Sequence, residues 1–150
     1  MNRPALRATS LLIALSGVVA PIPVVAQDAA AGANGPYLSV ELNIVEQQAD
    51  TCRLTFVAQN NLGRDASAVV FETVLFDRAD QVIDFTLFDF KDLPNGSLRV
   101  RQFDLAGVDC ASVGRVLLND VHACTGADLT ADICAASLRW TSRTDVEVMG

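Results

Sequence analysis

From Tyr37 onward, apolar and polar residues alternate with a period of two, the spacing that sends successive side chains to opposite faces of an extended strand. Leu38, Val40, Leu42 and Ile44 fall on one side, and Ser39, Glu41 and Asn43 on the other. Cys52, Leu54, Phe56 and Ala58 repeat the pattern, with Arg53, Thr55 and Gln59 facing away. Asn60–Asn61–Leu62–Gly63 reads as a turn. Two further strands, 69–76 and 82–90, flank the polar Asp77–Arg78–Ala79–Asp80 turn, and Leu93–Pro94–Asn95–Gly96 closes the second. In the next strand, 98–105, Leu98 and Val100 are expected inward. Phe103 and Leu105 are out of step with them, which predicts a bulge near Gln102. Segments 116–121 and 138–148 complete about seven strands, with room for one helical turn within 127–136.

Short alternating strands separated by turns, with no sustained helical period, predict an all-β fold. The expected architecture is an antiparallel β-sandwich, immunoglobulin-like in the loose sense. Residues 37–150 then form one domain, preceded by a small, polar, flexible lead-in at 27–36.

The first twenty-six residues carry a different pattern. Arg3 and Arg7 give a basic start, Leu11–Leu12–Ile13–Ala14–Leu15 a short apolar core, and Val24–Val25–Ala26 before Gln27 a small-residue cleavage site. This predicts a cleaved signal peptide and a periplasmic or extracellular address. All four cysteines, Cys52, Cys110, Cys124 and Cys134, lie beyond it, where an oxidising compartment would make two disulfides of them. Three pairings are open to four cysteines. If successive strands alternate direction, Cys52 and Cys110 share one end of the sandwich, while Cys124–Cys134 would staple a local connection. The chain-entropy model assigns roughly 4 kcal/mol to the long loop and roughly 3 kcal/mol to the short one.

Charge narrows the partners. Eleven basic residues less Arg3 and Arg7 leave nine against eighteen acids, a net charge of −9 after cleavage. Nucleic acid and anionic lipid both require a basic footprint, so neither is expected. No later apolar run is long enough to span a bilayer as a helix.

Candidate chemistry is sparse. His122 is the chain's one histidine and lies two residues from Cys124, an expected disulfide partner, so no nucleophile–base pair is expected. The cysteines form no C-x-x-C pair, which weighs against zinc and against thiol exchange. Asp77, Asp80, Asp84, Asp89 and Asp92 are dense, yet their spacing does not match a calcium loop. Asn95–Gly96–Ser97 fits a glycosylation sequon but is more simply turn chemistry. The expectation is therefore no catalytic residue, no metal ligand and no cofactor.

One segment breaks the clean alternation. Phe85 and Leu87 face one side of the 82–90 strand and Phe88 and Phe90 the other, so the strand is apolar on both faces. Such a strand is either covered twice or offers one face to a partner. With Phe85 and Leu87 placed in the core, Phe88 and Phe90 are the candidate interface, and another periplasmic protein the candidate partner.

The segments CRLTFVAQNNLG (52–63), ETVLFD (72–77), LFDFKDLPNG (87–96), RVRQFDL (99–105) and SRTDVEV (142–148) resemble a group of small uncharacterised secreted proteins of alphaproteobacteria. The resemblance is one of strands and cysteines. It implies an exported bacterial protein and carries no activity. Three functions follow in order of preference: a non-enzymatic binding module, a small carboxylate-dependent hydrolase, and a ligand or metal carrier.

Overall fold

The computed structural model describes residues 35–150, so the expected signal peptide 1–26 and nearly all of the expected lead-in 27–36 lie outside the described residues. Eight strands and one short helix follow in order. They are β1 (Tyr37–Gln48), β2 (Thr51–Asn61), β3 (Ala66–Asp77), β4 (Val82–Leu93), β5 (Leu98–Ala106), β6 (Val113–Gly126), α1 (Ala131–Ser137), β7 (Leu138–Ser142) and β8 (Glu147–Met149). Two four-stranded sheets, β5-β2-β1-β7 and β4-β3-β6-β8, make a β-sandwich. Pairing is antiparallel except at one edge of each sheet, where β7 joins β1 and β8 joins β6 in parallel.

The inner faces follow the alternation. Leu38, Val40 and Leu42 of β1, and Cys52, Leu54, Phe56 and Ala58 of β2, pack against Val69, Phe71 and Leu75 of β3 and Val113, Val116 and Leu118 of β6. Phe56 sits at the centre of an aromatic cluster, its ring 5.7 Å from Phe88, 5.8 Å from Phe90 and 5.9 Å from Phe103. Phe88 and Phe103 stack at 4.1 Å across the two sheets. Edge-to-face and offset contacts of this kind add to the burial of large apolar rings.

Three local expectations are corrected. Ile44 faces solvent, because β1 bulges between Leu42 and Ile44 and Val45 takes the inward position opposite Leu54. On β5 the facing of Leu98 and Val100 is the reverse of that expected. Leu98 and Val100 are 61% and 58% exposed, Phe103 and Leu105 face the core, and the register with β2 runs unbroken past Gln102 without a bulge. The Phe88–Phe103 stack holds this parity, and it turns Arg99 and Arg101 inward with it. Finally, 138–148 is two strands. The Ser142 hydroxyl accepts from Thr144 N and the Thr144 hydroxyl from Val146 N, both at 3.1 Å. These consecutive side-chain turns bend the chain out of one sheet and into the other.

The two sequence-marked turns are joined through a single buried amide. Asn60 Nδ2 donates to the carbonyls of Arg64 (2.9 Å) and Leu93 (2.7 Å), and its Oδ1 accepts from Leu62 N. Gly63 there has φ +81°, a conformation open to glycine at little cost. Both disulfides have the pairing that strand geometry favoured. Cys52–Cys110 ties β2 to a single 3-10 turn leading into β6, and so ties one sheet to the other. Cys124–Cys134 holds α1 against β6. Thr130 caps α1, its hydroxyl accepting from Ile133 N.

Candidate binding face

The candidate interface residues Phe88 and Phe90 are core: they are 1% and 0% exposed. Their opposite face is the open one, with Phe85 61% and Leu87 48% exposed. Parity on β4 is decided across the sandwich, where Phe88 and Phe90 meet Phe56 and Phe103, and Phe90 also meets Phe71 at 5.5 Å. Nothing within the 82–90 segment itself distinguishes the two apolar faces.

Register extends the open face across the whole sheet. Residues directly opposite in a ladder share a face. Phe85 lies opposite Val74, Val74 opposite Leu117, and Leu117 opposite Met149. An apolar row therefore crosses all four strands on the outer side. Val74, in its middle, is buried although it faces away from the core, because it lies between Phe85 and Leu117. The next row on one side is Val82, Phe76, Arg115 and Glu147, and on the other Leu87, Glu72 and Asp120. Sequence reasoning missed Val74, Leu117 and Met149. The available signal was in β3, where Val69–Val70–Phe71 and Val74–Leu75–Phe76 are also apolar on both faces.

The flank beside this face is closed to strand addition. β4 and β5 are the edge strands of their sheets on that side. Inward-pointing charge on an edge strand discourages pairing with another chain. β4 carries Asp84 opposite the buried Leu75, and β5 carries Arg99 and Arg101. Arg101 reaches across to β4, its Nε donating to Phe90 O at 2.6 Å and its Nη2 to Asp92 O at 3.1 Å. Two carbonyls of the edge strand are thereby occupied. A further edge kink comes at Lys91, whose φ is +59° and whose ammonium pairs with Asp89. That hydrogen bond holds the Asp89 carboxyl below its ordinary pKa.

The remaining candidates are placed as follows. His122 is exposed, with Nδ1 3.5 Å from Glu72 Oε1, and Cys124 nearby in sequence is in its disulfide. The dense acids are committed locally. Asp77 Oδ1 accepts from Ala79 N and Gln81 N in the hairpin turn, Asp80 pairs with Arg115, Asp84 accepts from Phe85 N, and Asp92 lies 3.6 Å from Arg101. Among the described residues no group of three or more His, Cys, Asp or Glu side chains is placed to hold a metal ion. Asn95 serves the turn, its Oδ1 accepting from Gly63 N. One hollow of about 410 Å³ is an open depression beside Gln47, Asp50 and Asp109. A slot of about 170 Å³ lies between β6, α1 and Trp140. No helix among the described residues is long and apolar enough to cross a membrane.

Compared with protein-family models, with curated proteins and with solved structures, the chain finds no match.

Proposed function

We propose that this chain is an exported, non-enzymatic binding module of the periplasm or the extracellular space, immunoglobulin-like in its use of a rigid sandwich to present a surface. The observation that carries the reading is the apolar row Phe85–Val74–Leu117–Met149 on the outer face of the β4-β3-β6-β8 sheet, bordered by Val82 and Leu87. Apolar surface that runs across strands, exposed here at Phe85 and Met149 and rimmed by polar residues, marks a protein contact. The second exposed pair, Leu98 and Val100, is weaker support for a surface, because Gln59 and Val57 lie opposite and Ser39 and Glu41 follow on β1. Two disulfides agree with an oxidising compartment, and so does the resemblance to exported alphaproteobacterial proteins.

The test uses oxidised protein without residues 1–26, immobilised and exposed to a periplasmic extract, beside a Phe85→Ser/Leu87→Ser double variant. The expected result is a species retained by the parent and lost from the variant, which stays folded with a melting point about 6–11 °C lower, as loss of the covered fractions of Phe85 and Leu87 requires. Equal retention by both would remove this face as the binding surface.

A further inference from the structure

We infer that the partner of this face is a cationic amphipathic segment of another protein, which lays apolar side chains along the Phe85–Met149 row and its basic side chains against the acids beside it. This rests on the binding-module reading above and names the partner's chemistry.

The inference comes from what borders the row. On one side, Glu72 and Asp120 are directly opposite one another on β3 and β6, next to Leu87. Among the described residues neither pairs with a lysine or arginine; His122 Nδ1 lies 3.5 Å from Glu72 Oε1. On the other side stands Arg115, which is shared between Asp80 at 2.9 Å and Glu147 at 2.8 Å, so two carboxylates face one guanidinium. Both borders are thus net negative, with an apolar strip between them. The strip crosses three inter-strand spacings of about 4.8 Å, or about 14 Å. That length suits two to three turns of an amphipathic helix, or a few alternating residues of an extended segment.

Complementary charge selects among the occupants. A second copy of this chain would bring the same acidic borders, and its overall charge of −7, or −9 without residues 1–26, works against self-association. An anionic lipid surface is repelled for the same reason. Strand addition along β4 is opposed by Asp84, by the Lys91 kink and by Arg101 on the edge carbonyls. A segment resting on the face, with lysine or arginine flanking leucine-like residues, meets none of these obstacles.

The experiment uses a fluorescent leucine–lysine amphipathic peptide and a leucine–glutamate counterpart of the same pattern, with the oxidised domain. Three variants accompany the parent: Glu72→Gln/Asp120→Asn on the rim, Asp50→Asn/Asp128→Asn remote from it, and Phe85→Ser/Leu87→Ser on the row. The expected result is binding of the lysine peptide alone, with association slowed roughly tenfold at low salt in the rim variant and the difference shrinking at high salt. The remote pair, which removes the same charge, stays near the parent. Equal losses in the rim and remote variants, or binding of both peptides, would overturn the charge assignment. Concentration-dependent dimers of the parent that Phe85→Ser/Leu87→Ser abolishes would replace the cationic segment with a second copy. If the row variant alone loses binding, the face survives and the charge assignment falls; if the row variant loses nothing, the binding face itself falls.

Discussion

Phe90→Ala and Phe85→Ala, five residues apart on β4, should behave as mutations in different environments. Phe90 is fully buried, with the rings of Phe56, Phe71 and Phe103 5.8, 5.5 and 5.2 Å from its own. Truncating a core phenylalanine costs about 3–5 kcal/mol, since transfer and cavity terms add. At about 2.1 cal/mol/K per residue, the described residues 35–150 unfold with an entropy of about 0.24 kcal/mol/K. The Phe90→Ala melting point should therefore fall by about 12–20 °C. Phe85 retains 61% of its exposure, so truncation forfeits only the covered fraction of a full burial, about 0.6–1.2 kcal/mol, or about 2–5 °C. Calorimetry of the two oxidised variants beside the parent separates these outcomes. A larger loss for Phe85→Ala than for Phe90→Ala would mean that β4 is turned the other way, and the outer apolar row would then not exist.

Asn60→Ala strands the carbonyls of Arg64 and Leu93 and the amide of Leu62; urea unfolding should show a loss of at least about 2 kcal/mol, and a loss under about 0.5 kcal/mol would contradict the role given to this amide. Arg101→Met keeps a long stem but frees Phe90 O and Asp92 O on the β4 edge. Sedimentation velocity should show larger species than for the parent, whereas unchanged sedimentation would mean the edge is protected by other means. Asp104 has its pKa lowered by the hydrogen bond from Arg53 at 2.7 Å, so its folded value lies below the unfolded value near 3.8. Its contribution is therefore present above that unfolded value and is lost as pH falls through the folded one. The melting-point gap between the parent and Asp104→Asn should be small at neutral pH, because the pair is exposed, and should close in strong acid; a gap that widens on acidification would reverse the sign.

How far the sequence carries depends on how local each signal is. The inward rows of β1 and β2, the hairpin turn at Asp77–Asp80, and the Asn60–Gly63 and Leu93–Gly96 turns are encoded within a few residues, and they are found where the alternation puts them. Ile44 escaped because a bulge shifts parity by one residue without any mark in composition. β4 and β5 escaped for another reason. Each carries apolar residues on both faces, so parity rests on which set of rings meets the opposite sheet, a contact between residues far apart in sequence such as Phe56 and Phe88. The outer row shares that difficulty, since Phe85, Val74, Leu117 and Met149 come from four strands and are adjacent only through register. The split of 138–148 into β7 and β8 is set by the hydroxyls of Ser142 and Thr144, residues that also occur freely inside strands.

Site-directed photo-crosslinking tests the binding face most directly. Benzoylphenylalanine is installed at Phe85 in one sample and at Val100, on the outer face of the other sheet, in a second, and each is irradiated in periplasmic extract. The account predicts a discrete crosslinked product from position 85, absent at position 100, and mapping of that product to a segment rich in lysine or arginine beside apolar residues. Products of equal yield from both positions, or from position 100 alone, would contradict it.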